Sequence, residues 1–249
     1  MKSARDRGIE AWSISASREP HTPGGLDLKP RRVLVPLLTA LLFTLGTGWC
    51  QGNFKAEAIG AAPSSDLPPT LSSALAAQGV RATSDQGAPV CEVWLLKFIP
   101  ASPNPSASSD VLYGGLSLGT LLGVVHFPIP TTDFRGQAIK PGFYTLRYAL
   151  IPQDGNHMGV NPTRDAIVLG PVAADPDPAK TLDFDGLVKL GRQASGTAHP
   201  ALLVMAPTSG DNFPGVVKDD QGHWDLQVKG QASSGDLPLA VTIAGKYEG

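Results

Sequence analysis

Cysteine is scarce in this chain, with two residues, Cys50 and Cys91, in 249. That excludes a disulfide-dense scaffold. Metal-ligand spacing is missing too: no His-x-His, His-x-x-x-His or Cys-x-x-Cys occurs. Basic clusters are absent beyond residue 58, where 12 Lys and Arg face 17 Asp and Glu. A net charge of −5 in that part argues against nucleic acid and anionic membrane surfaces as partners. Glutamate is nearly lacking there, with Glu92 and Glu248 against fifteen aspartates. Asp favours turns where Glu favours helix, so many short strands joined by tight turns are expected. Catalytic motifs are missing in context. Gly115-Leu116-Ser117-Leu118-Gly119 carries the letters of a nucleophile elbow, but no helix follows and no βαβ alternation surrounds it. It reads as small residues in tightly packed strands.

Long apolar runs are limited to one, residues 33–49, directly after Lys29, Arg31 and Arg32. A basic flank, an apolar core and then small residues make an export signal. Ala56-Glu57-Ala58 fits the small-x-small pattern of a cleavage site. Cleavage there places 1–58 in an n-region and signal peptide. The Ala-, Ser-, Pro- and Gly-rich residues 59–88 follow as a flexible tether, and 89–249 as the folded domain. A product outside the cytoplasm, periplasmic or extracellular, is expected, with an uncleaved N-terminal anchor as the alternative. Membrane contact is expected only through the signal segment or a lipid on Cys50. Bulky Trp49 before that cysteine suits lipidation poorly. Arg31-Arg32 hints at twin-arginine export, with poorly matching neighbours. Cys91, between Val90 and Glu92, reads as a small core residue.

The domain reads as all-β. Both alternating sets of Val93–Ile99 are largely apolar, so that strand is expected to be buried on both faces or nearly so. Residues 111–127, punctuated by glycine, suit two short strands better than a helix. Tyr144, Leu146, Tyr148 and Leu150 share one face, with Thr145 and Arg147 on the other. Further strands are expected at 166–172, 201–206, 216–217, 224–229 and 237–243. A single short helix carries Leu187, Val188 and Leu190 behind an Asp183 or Asp185 cap. No helix separates the last strands, so they pair antiparallel. The expected fold is an antiparallel β-sandwich, immunoglobulin-like or jelly-roll, with one short helix behind a disordered N-terminal region.

Polar residues concentrate at the ends of the predicted 143–150 hairpin. Arg135, Asp154, His157, Arg164, Asp165 and His199 are the candidate ligand-binding set, since loops on rigid sheets carry recognition. The competing reading makes Arg135, Arg164 and Asp165 a structural ion pair. Asp175, Asp177, Asp183 and Asp185 form an oxygen-rich loop without EF-hand spacing. The expected function is a non-enzymatic binding or structural module at the cell envelope, with no cofactor. The alternative is a metal- or small-ligand-binding protein or enzyme using His126, His157 or His199 with Asp165. The stretch Arg135-Gly136-Gln137, Lys140 through Tyr148, Pro152, Asp154-Gly155, His157, Arg164-Asp165 and His199-Pro200 resembles a group of uncharacterised secreted bacterial β-sandwich proteins. That resemblance implies export and a β fold, and no activity.

Overall fold

The computed structural model describes residues 53–105, 108–154 and 161–245, all within the unit spanning 49–249. The strands are β1 (Phe54–Ile59), β2 (Gly79–Ser84), β3 (Pro89–Leu95), β4 (Leu121–Phe127), β5 (Thr131–Thr132), β6 (Ala138–Ile139), β7 (Gly142–Leu150) and β8 (Asp165–Pro171). They continue as β9 (Leu202–Ala206), β10 (Gly215–Lys218), β11 (Trp224–Ala232) and β12 (Gly235–Ala244). The helices are α1 (Pro69–Ala74) and α2 (Phe184–Ser195).

Ten of these strands form one antiparallel sheet in the order β1-β2-β3-β4-β7-β8-β9-β12-β11-β10. The order is a meander with one break, where β12 rather than β10 pairs with β9. The Phe54 ring lies edge-on to Trp224 at 5.3 Å. That contact brings the two ends of the sheet together, and the sheet curls almost into a barrel. The inner face is a single apolar core that includes Val93, Val125, Leu146, Ile167, Leu203, Leu226 and Leu239. These residues follow the period-2 alternation of their strands. The hairpin β5–β6 lies at one end, where Thr131 and Thr132 line the same cavity as Leu203, Val241 and Ile243.

Three sequence expectations change. The two-layer sandwich becomes one continuous, nearly closed sheet, because alternation fixes which side chains face inward but not how the sheet curls. The tether expected at 59–88 holds α1 and β2, and the expected cleavage after Ala58 falls inside β1. Residues 54–59 pair with 79–84 along their whole length. The run 111–127 carries one strand, β4, and residues 111–120 are turns and irregular chain. The parts of the N-terminal expectation that fall on 1–52 lie outside the described residues.

Outside the barrel, α2 lies on β7 and β8. Asp183 caps it, accepting a bond from the Gly186 N–H at 2.8 Å, and Gly196 ends it in the left-handed region at φ 69°. Leu187 packs on Ala149 and Val168. Gly191 lets the helix close on its neighbours, since a Cβ there would overlap Pro200 and Val168. The crossover 207–214 covers the outer side of β11. There Gln227 both accepts from the Ser209 N–H and donates to the Ser209 carbonyl.

Candidate ligand groove and its buried support

Arg147 sits on the outward face of β7, where alternation alone would place it in water. Instead it is fully buried beneath residues 173–183. Its guanidinium makes a two-pronged pair with Asp175, Nε to Oδ2 and Nη2 to Oδ1, both at 2.8 Å. Thr145 donates to Asp175 Oδ2 at 2.7 Å. The remaining N–H groups reach three carbonyls, those of Gly119 (2.9 Å), Asp177 (3.0 Å) and Lys180 (2.5 Å). A planar fork of five donors suits this task, and a lysine would not replace it. The result ties two chain segments, 117–121 and 177–181, to one point under the sheet surface.

Those two segments are facing walls of an open groove of about 500 Å³. The third wall is the chain after β3, with Phe98, Pro100, Ala101 and Ser102, closed off by Ser233 of the β11–β12 turn. Backbone bonds anchor this wall: Ile99 N–H to the Gln231 carbonyl at 2.8 Å and Ser102 N–H to the Gly115 carbonyl at 2.7 Å. Ser233 also donates its hydroxyl to the Ala101 carbonyl. Leu121, buried, lies among the lining residues. Phe98 stands at the rim with 56 % of its surface exposed, the most exposed large apolar side chain described. Ser117, Thr120 and Thr181 line the groove, and their hydroxyls bond no other described residue. Among the described lining residues Lys180 is the single charged one.

The sequence-derived candidates lie elsewhere. Asp165 is fully buried and accepts bonds from Leu112 N–H (2.7 Å), Tyr113 N–H (3.0 Å) and the Tyr148 hydroxyl (2.7 Å). Burial first, and then this bond to a carboxylate, push the Tyr148 phenol above its usual range. Asp165 and Arg164 make no pair with each other: Arg164 donates to the Ile151 carbonyl and approaches Asp110 at 3.6 Å. The expected Arg164–Asp165 pair is therefore corrected, and Asp165 is placed in the interior, where it binds the 112–113 backbone and Tyr148. The turns that carry Arg135 and His199 do meet. Asp133 accepts from Arg135 N–H, Gln137 N–H and Leu202 N–H, and Gln137 bonds Pro200 and Thr197, so the turn 133–137 docks on 197–202. Asp154 lies in the loop after β7, away from the groove lining, and His157 lies outside the described residues.

Of the histidine alternative, His126 and Asp165 lie on opposite faces of the sheet. His126 belongs to a row of outward side chains on five neighbouring strands: Glu57, Arg81, Glu92, His126 and Phe143. Its Nδ1 lies 2.9 Å from Glu92 Oε2, and its ring stacks on Phe143 at 4.3 Å. Asp165 faces the opposite side of the sheet. Among the described residues no three His, Cys, Asp or Glu side chains gather as a metal site. In the aspartate loop Asp175 serves Arg147 and Asp183 caps α2. Cys91 is buried in the core, and burial pushes its thiol up to about 12, which makes it an inert packing group.

Of the groove residues, sequence reasoning had reached only Ser117, and through a nucleophile motif that its turn conformation does not support. No protein-family model matches the chain, and no curated protein or solved structure matches it either.

Proposed function

We propose that the protein is an exported, non-catalytic binding module and that the groove between residues 98–102, 117–121 and 178–181 is its ligand site. The observation that carries this reading is the buried Arg147. Burying a guanidinium is costly, and here its bonds hold two walls of a groove in which the hydroxyls of Ser117, Thr120 and Thr181 bond no other described residue. Clefts of about 300–1,000 Å³ with a few convergent polar groups are the usual form of small-ligand sites. No nucleophile–base pair lies in the groove, so binding rather than turnover is the function its chemistry supports.

Export rests on the run 33–49 behind Arg31 and Arg32. With β1 part of the sheet, cleavage belongs upstream of Phe54. Small-x-small patterns at Gly46-Thr47-Gly48 and Gly48-Trp49-Cys50 satisfy that position. N-terminal sequencing of protein recovered from the cell envelope should give a start between residues 49 and 53. A start after Ala58 would contradict this assignment.

The groove is tested by ligand-observed NMR with a mixture of amino acids, short peptides, sugars and sugar acids. Wild-type protein should produce hits that Ser117→Trp, which fills the groove from an exposed position, abolishes at an unchanged melting temperature. Hits that survive the substitution, or no hits, would overturn the assignment.

A further inference from the structure

Resting on the groove as the binding site, we infer that its ligand is an acidic saccharide: a hydroxylated ring bearing a carboxylate. Three features of the lining select this class. The ring of Phe98 is exposed at the rim, and its electron-rich face attracts the polarised C–H edge of a sugar ring. The hydroxyls of Ser117, Thr120 and Thr181 are open to exchange bonds with the ligand's own hydroxyls, each able to donate and accept. The only charged residue among the described lining residues is Lys180, and the nearby Asp177 carboxylate is engaged by the Ala179 N–H.

Other ligand classes fit less well. An apolar ligand would leave the three hydroxyls dry and unpaired, which is costly. A cationic ligand would meet Lys180, with no carboxylate among the described lining residues. An extended peptide would look for open main-chain groups, but the carbonyls of Asp177 and Lys180 are already taken by Arg147, and Ala179 N–H is taken by Asp177 Oδ1. A volume of about 500 Å³ matches one or two sugar rings.

The test titrates ¹⁵N-labelled protein with digalacturonate and, separately, with its neutral counterpart digalactose, following backbone amides. Digalacturonate should shift the amides of Ser102, Ser117, Thr120 and Thr181 and bind about three- to fivefold tighter than digalactose, the worth of one exposed charge pair. Lys180→Gln should abolish that preference while keeping the weaker binding of both. Phe98→Ala should weaken both sugars. Equal affinity for the two sugars, or a preference that survives Lys180→Gln, overturns the acidic-saccharide inference and leaves the groove assignment standing. Absence of groove shifts with either sugar also overturns it. The mixture screen with Ser117→Trp then decides separately whether the groove binds at all.

Discussion

A buried guanidinium is stable only when each donor has a partner, and Arg147 meets that condition through Asp175 and three carbonyls. Arg147→Met leaves the Asp175 carboxylate buried without its cation, so unfolding free energy should fall by about 3–5 kcal/mol. Urea denaturation measures this, and the double replacement Arg147→Met with Asp175→Leu should recover much of the loss. Glu92 makes a second residue-scale prediction. Burial opposes its charge, but bonds from His126 and Arg81, with the Arg81 charge, more than offset that and hold its carboxyl below the usual range. A lowered folded-state value means the stabilisation is full above the unfolded value, about pH 4. It is lost as pH falls through the folded value. Glu92→Gln should therefore lower the melting temperature at pH 7, with the gap closing below about pH 4. A gap independent of pH would contradict the charge-based account. At this scale the sequence was partly readable. The helix cap was legible as one of two, Asp183 or Asp185, and the structure selects Asp183. Arg147 was placed on the correct face, but its burial comes from residues 173–183, which are distant in the chain and carry no local signal.

At the scale of elements, the strong β-rhythm of β7, β11 and β12 made them readable, as did the Pro-Gly turn before Phe143. The weak elements were not. In β1 and β2, Ala56, Ala58 and Ala82 alternate with Lys55, Glu57 and Arg81, residues of low β-propensity that dilute the signal of Phe54, Ile59 and Val80 and that cross-strand pairing overrides. Their stability comes from the Glu57–Arg81–Glu92 row and from Trp94, whose indole N–H reaches the Gly60 carbonyl at 2.8 Å. The 117–121 wall depends on Gly119, at φ 80°, where a Cβ would overlap the Leu182 carbonyl. Gly119→Ala should therefore cost more than the usual 1 kcal/mol of a strained glycine site and loosen the groove. Thermal melts check the first effect, and faster amide hydrogen exchange at Thr120 and Thr181 the second. A melt unchanged within error would contradict the close approach.

The whole molecule is where the sequence said least. In-and-out alternation is shared by sandwiches and barrels, and the difference lies in the Phe54–Trp224 contact between residues 170 positions apart. The groove was equally hidden, since its walls come from four separate stretches of chain. Because β1 completes the sheet, a chain beginning at Ile59 should be less stable than one beginning at Asn53. The truncation exposes the edge of β2 and uncovers Trp224, and urea midpoints of the two purified forms measure the difference. Equal midpoints would show that β1 is dispensable. The account as a whole turns on the groove beneath which Arg147 is buried. Amide-shift mapping with the mixture of small polar compounds tests that most directly. Shifts are predicted to cluster at Ala101, Ser102, Ser117, Thr120 and Thr181. Shifts confined instead to the turns carrying Arg135 and His199, or to the barrel interior around Val241, would contradict it.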